Sequence, residues 1–87
     1  MLAVWKFELP VGYRSWVEMP VGAVCLTVRE QRDSVCVWAA VDTDADTEVR
    51  RFNVYGTGHP MGEAAGRYLG TAMLHGGGLV FHVFEAS

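Results

Sequence analysis

The sequence predicts an all-β domain, a small antiparallel sandwich or barrel of about seven short strands in hairpin order. Three observations carry this reading. Apolar and polar residues alternate with a period of two in at least five segments, the spacing of a strand with one buried face. No segment holds an apolar period of 3.6 over about ten residues, which an amphipathic helix requires. Turn-forming Pro, Gly and Asp residues punctuate the chain between the alternating runs, as a chain of short connected strands needs.

The first element is Leu2 to Leu9, where Trp5, Phe7 and Leu9 share one face and Lys6 and Glu8 the other. Pro10 stops it, and a turn through Gly12 leads into Tyr13 to Met19, with Val17 and Met19 inward and Trp16 and Glu18 outward. These two strands read as a hairpin. Pro20 and Gly22 close the second strand.

Ala23 to Gln31 and Ser34 to Val41 read as another hairpin about a two-residue turn at Arg32-Asp33, since Asp tolerates the left-handed conformation such turns need. In that register Arg29 faces Cys36 and Thr27 faces Trp38. Val24, Leu26, Val28, Val35, Val37, Ala39 and Val41 then make a wholly apolar face, expected to be core. Cys25 and Cys36 fall four places out of register, roughly 13 Å along a strand. A disulfide needs Cα atoms within about 7 Å, so both thiols are expected to stay free.

Asp42 to Glu48 is an acidic link between strands. It lacks the glycine at the sixth place and the closing glutamate of a calcium loop, so no metal site is expected there. Glu48 to Tyr55 follows, with Phe52 and Val54 inward and Arg51, Asn53 and Tyr55 on the other face. The last pair is Tyr68 to His75 and Leu79 to Glu85, joined across Gly76-Gly77-Gly78. Leu79 to Phe84 is apolar on both faces apart from His82. It is expected to be a central strand, or to offer one face to another subunit.

Eighty-seven residues make one domain, residues 1–87, and with 51% hydrophobic and 20% charged residues the chain has the composition of a folded protein. The net charge of −3 argues against duplex nucleic acid, whose binding depends on neutralising phosphates. No apolar run approaches the roughly 20 residues of a membrane span, and no signal peptide is evident, so a cytoplasmic protein with no membrane partner is expected. The thin core of so small a domain, with the two-sided strand at Leu79–Phe84, predicts a homo-oligomer, a dimer first.

Of ten glycines, eight lie between Gly56 and Gly78, and all three histidines lie in or just after that stretch. Successive amides around Gly56-Thr57-Gly58 can form an anion-binding nest, with the Thr57 hydroxyl and the His59 ring beside it. Pro60 holds His59 extended. Arg51 and Tyr55 share a strand face just before the loop, one to grip phosphate, the other to stack a base. Tyr68, His82 and Trp38 complete the candidate ligand set, Trp38 being also readable as packed against a second sheet. The plainer reading of the loop is a turn. Catalysis finds little support: no serine sits in a nucleophile-elbow pattern and no His/Cys cluster has ligand spacing, so no enzyme, catalytic residue or cofactor is expected.

The order WKFELP, AVCLTVREQRDSVCVWAAVD, FNVYGTGHP and YLGTAMLHGGGLVFHVFE resembles a family of short proteins encoded in bacteriophage genomes. Arg32-Asp33 departs from it where Asn-Gly is more typical, which bears on turn stability. The resemblance implies a phage source, hence the host cytoplasm, and transfers no catalytic residues. By analogy with accessory phage proteins, it implies a protein that counters host defence by sequestering a nucleotide-derived signal, such as an ADP-ribose conjugate or a cyclic nucleotide. The alternative is an interaction module that binds a host or phage protein and takes no small ligand.

Overall fold

The computed structural model describes residues 1–10 and 14–86. Seven strands follow in order: β1 (Leu2–Leu9), β2 (Ser15–Pro20), β3 (Val24–Gln31), β4 (Ser34–Asp42), β5 (Thr47–Gly56), β6 (Arg67–Leu74) and β7 (Leu79–Glu85). Beyond strands, the described residues hold one 3-10 turn at His75–Gly77. All pairings are antiparallel. One sheet has the order β1-β4-β3 and the other β2-β5-β7-β6, and they face each other as a sandwich.

The expected β1–β2 hairpin does not form. The two strands lie in different sheets, β1 on β4 and β2 on β5; the expected turn at Gly12 lies outside the described residues. The reason is the demand of β4. Its apolar residues Val35, Val37, Ala39 and Val41 are all at most 1% exposed, so it must lie mid-sheet with a neighbour on each side. The Arg32-Asp33 hairpin supplies β3 on one side. On the other, β1 runs from Leu2↔Asp42 to Leu9↔Val35, which places Phe7 and Leu9 on the inner face with Val37 and Val35.

The β3–β4 hairpin keeps the expected pairs Arg29↔Cys36 and Thr27↔Trp38, and its turn has φ +51° at Arg32 and +63° at Asp33, as a two-residue hairpin loop requires. A β-bulge between Cys25 and Thr27 then shifts the register, so Cys25 faces Ala39. This corrects the expected core face. Val24 and Leu26 turn out to solvent, while Cys25 packs against the core. Both thiols are free, and burial raises the pKa of each, Glu85 adding to the effect at Cys25.

The bulge sits where the two sheets close on each other. A matching register shift between Tyr68 and Gly70 breaks β6, whose strand lies against β3. A Cβ on Gly70 would lie 2.9 Å from Val28 Cβ and 3.6 Å from its backbone nitrogen, so glycine sets the approach of the sheets. Gly70→Ala is expected to cost about 1–3 kcal/mol, the usual range for overpacking, read as a lowered midpoint in urea unfolding with an unchanged slope.

Two polar links fasten the sheets. At one end Arg50 donates from Nε and Nη2 to both Glu85 carboxylate oxygens (2.6 and 2.9 Å) and from Nη1 to the Ala23 carbonyl (2.6 Å) on the strand-entry side of β3. At the other, Asp33 accepts from the His75 backbone N–H (2.9 Å), with its second oxygen 2.9 Å from the ring Nδ1, so the β3–β4 turn clasps the β6–β7 turn. Leu9, Met19, Val35, Val37, Phe52 and Val83 fill the space between the sheets.

β7 is a central strand between β5 and β6, which accounts for its two apolar faces without a second subunit. Val83 lies in the core. On the outer face Phe84 meets Tyr55 and Tyr68 edge to face, with centroids 5.8 and 5.4 Å apart. The connection from β5 to β6 must pass β7, and it does so across that outer face. Asn53 is 4% exposed there because its Nδ2 donates to the Ala65 carbonyl of the crossing segment at 2.8 Å.

Candidate functional site

The nine expected ligand residues fall into four places. Gly56 to His59 form a tight turn: the His59 N–H donates to the Gly56 carbonyl (3.0 Å) and Gly58 has φ +84°, as a type II turn demands at its third position. The Thr57 N–H donates to the Val80 carbonyl (3.1 Å). Of the 56–58 amides offered by the sequence to a phosphate, that of Thr57 is thus committed within the fold. A Cβ on Gly58 would meet nothing within 4 Å, so glycine serves the backbone angle there and not a close approach.

The His59 ring lies against the bare face of Gly56, where a Cβ would stand 2.8 Å from its Nδ1. With Gly78, Leu79, Val80 and Phe81 it borders a cavity of about 190 Å³, smaller than the roughly 300 Å³ at which small-molecule sites begin.

The outer face of β5, β7 and β6 brings Thr57, Tyr68 and His82 into one chain of hydrogen bonds, with Tyr55 beside it through Phe84. His82 Nε2 lies 2.7 Å from Thr57 Oγ1 and its Nδ1 3.0 Å from Thr71 Oγ1, which in turn is 2.6 Å from the Tyr68 hydroxyl. Hydroxyls donate or accept as needed, so the chain suits either imidazole tautomer. Both ring nitrogens of His82 are engaged with hydroxyls of the fold. Thr71 and Phe84 are members that sequence reading missed. Their pairing with His82 and Tyr68 depends on the register shift in β6, which alternation alone does not reveal.

Trp38 stands apart, half-buried on the outer face of the first sheet between Lys6 and Thr27. The second sheet packs on the opposite face, so Trp38 neither packs against it nor joins the other candidates.

Arg51 also lies away from the glycine turn. Five residues of extended strand put its Cα about 16 Å from Gly56. Its register partner is Trp16, 63% exposed on β2. The two line a cleft of about 420 Å³ with Glu48, Arg50, Glu85 and Ala86. Arg50 and Glu85 are satisfied by each other, and that carboxylate raises the Arg50 pKa further while burial works against it. Arg51 is different: its Nε is buried and has no hydrogen-bond partner. A buried donor without an acceptor is costly, and in native proteins it calls for an explanation. The cleft thus pairs an indole face open to stacking with a guanidinium that has donors to spare. Trp16 was legible as outward-facing from the alternation of β2, but its placement beside Arg51 needed the β2–β5 pairing.

Among the described residues no three His, Cys, Asp or Glu side chains converge as metal ligands, and no helix is long and apolar enough to cross a membrane. No curated protein and no solved structure matches the chain. The family model described as Domain of unknown function (DUF7352) matches residues 1–87, and the chain belongs to that family.

Proposed function

We propose that this is a binding protein and not an enzyme, and that its ligand is a small phosphorylated compound with an aromatic base, of the nucleotide type. The base stacks on Trp16 and the phosphate takes the donors of Arg51. The observation that carries this reading is the buried, unpartnered Arg51 Nε opposite an exposed tryptophan in a cleft of about 420 Å³, within the size range of small-molecule sites. An arginine fork is matched to phosphate and carboxylate oxygens, and an indole supplies the stacking plane. In the phage setting that the sequence resemblance implies, such a protein acts by withdrawing a nucleotide signal from the host.

The test is calorimetric titration with a panel of nucleoside mono- and diphosphates, ADP-ribose and cyclic nucleotides. Binding to at least one is expected, with quenching of tryptophan fluorescence that Trp16→Phe removes. Arg51→Ala is expected to weaken that binding roughly ten- to a hundredfold, the loss of a charge-assisted hydrogen bond. Unchanged affinity in both variants overturns the assignment of the cleft, and no binding across the panel overturns the ligand class.

A second reading, an interaction module with no small ligand, draws on the outer face of the first sheet. There Val4, Ala40 and Val24 form a cross-strand row in which both valines are more than half exposed, with Leu2 and Leu26 also exposed. A protein that copurifies in stoichiometric amount, with no small molecule released on heating, favours this reading over the first.

A further inference from the structure

We propose that the chain forms a two-fold dimer by pairing β1 with β1 of a second copy, with Phe7 on the symmetry axis. β1 is the outermost strand of its sheet, bonded to β4 alone. It runs eight residues with no proline and with unbroken register against β4, and among the described residues no other strand pairs with its free edge. Such an edge presents a row of backbone donors and acceptors that another strand can take up. Native proteins commonly blunt edges of this kind with bulges, prolines or inward charges, and the bulges of this fold lie on β3 and β6 instead.

The side chains then choose among registers. A two-fold axis normal to the sheet keeps each face on the same side, so inward residues must oppose inward residues and outward oppose outward. Antiparallel pairing centred on Lys6 sets Lys6 against its own copy. Pairing centred on Trp5 sets Lys6 against Val4 and Glu8 against Leu2. Pairing centred on Phe7 sets Lys6 against Glu8 of the second copy, twice over by symmetry, and Trp5 against Leu9. Opposite charges directly across a strand pair stabilise it and like charges oppose it. The Phe7 register is the one of the three in which both charges find partners.

Both charges lack ionic partners among the described residues. Lys6 Nζ donates to the Gln31 side-chain carbonyl at 2.6 Å, a neutral acceptor, and among the described residues Glu8 has no hydrogen bond or ion pair of its own. Trp5, though on the inner face, is 42% exposed because it lies at this edge. A neighbouring strand would cover it. The isologous geometry, in which the same patch serves both copies, is that of most soluble dimers.

Charge reversal tests the register as well as the dimer. Sedimentation of the wild type is expected to show a dimer at micromolar concentration. Lys6→Glu places glutamates opposite each other and Glu8→Lys places lysines, so each is expected to raise the dissociation constant about tenfold or more. An equimolar mixture of the two variants restores both pairs in the heterodimer, as does the double variant K6E/E8K in a homodimer. Thermal melts of the dilute single variants check that each remains folded. A monomeric wild type overturns the proposal. So do dimeric single variants of undiminished affinity, or a mixture that associates no better than its components.

Discussion

Gly66→Ala is expected to lower the melting temperature by about 15 °C or more, the largest effect of a methyl at any glycine among the described residues. Gly66 has φ +99°, and a Cβ there would overlap the Glu85 carbonyl oxygen and stand 2.6 Å from its carbon. The obstacle is main chain at the end of β7, paired to both neighbours, and cannot swing aside as a side chain would. Positive φ in a non-glycine residue costs about 1–3 kcal/mol and overpacking a similar amount. Together they approach the stability of so small a domain, on the order of 5 kcal/mol. Gly58→Ala is the control. It carries the same sign of φ, +84°, with open space where the Cβ would go, so about 1 kcal/mol, or roughly 4–8 °C, is expected. Thermal melts by circular dichroism compare the two. Equal losses would mean that the crossing segment does not dock where Asn53 and the Ala65 carbonyl hold it.

Removing one member of the Arg50–Glu85 pair is expected to cost about 3 kcal/mol, whereas replacing both with apolar residues costs markedly less than the sum of the two single changes. The two side chains are 16% and 17% exposed, and their two-pronged contact spans β5 and β7 while Arg50 also holds the Ala23 carbonyl. Glu85→Ala leaves a largely buried guanidinium with one neutral acceptor, and Arg50→Ala leaves a largely buried carboxylate. Each isolated charge carries its desolvation cost uncompensated. Arg50→Met with Glu85→Leu removes both charges together. Urea unfolding of the four proteins gives the coupling energy as a double-mutant cycle. Additive losses would show that the two side chains do not act as a unit. Because the same pair borders the Trp16–Arg51 cleft, these variants also report whether a ligand there depends on a rigid floor.

The sandwich was legible because strand alternation is a local property, repeated often enough that no single ambiguous segment decides the class. The β3–β4 hairpin was legible for the same reason: its register follows from two turn residues at fixed positions, and the pairs Arg29↔Cys36 and Thr27↔Trp38 stand as the turn places them. The burial of Phe52, Val54 and Val37 follows from alternation alone. So does the outward face of Trp16. The candidate site was less legible. The chemistry of Arg51 is legible in the sequence, but sequence order sets it beside the glycine turn that follows, whereas strand pairing sets it beside Trp16.

What the sequence determined by itself is what each segment does with its own two faces: seven strands, the turns of the β3–β4 and β6–β7 hairpins, and most of the residues that line the core. Only the tertiary structure decided which strand sits beside which. Partner choice is a competition among all strands for the two sides of β4 and β7, and β1 went to β4 across the chain because that burial outweighed the short connection to β2. The bulge beside Leu26, the glycine contact at Gly70 and the ion pair of Arg50 all arise where the two sheets meet. The pairing of Trp16 with Arg51 is likewise a product of long-range strand choice. A periodicity reports which face of a strand is apolar, and it carries no information about what lies across the hydrogen-bonded edge.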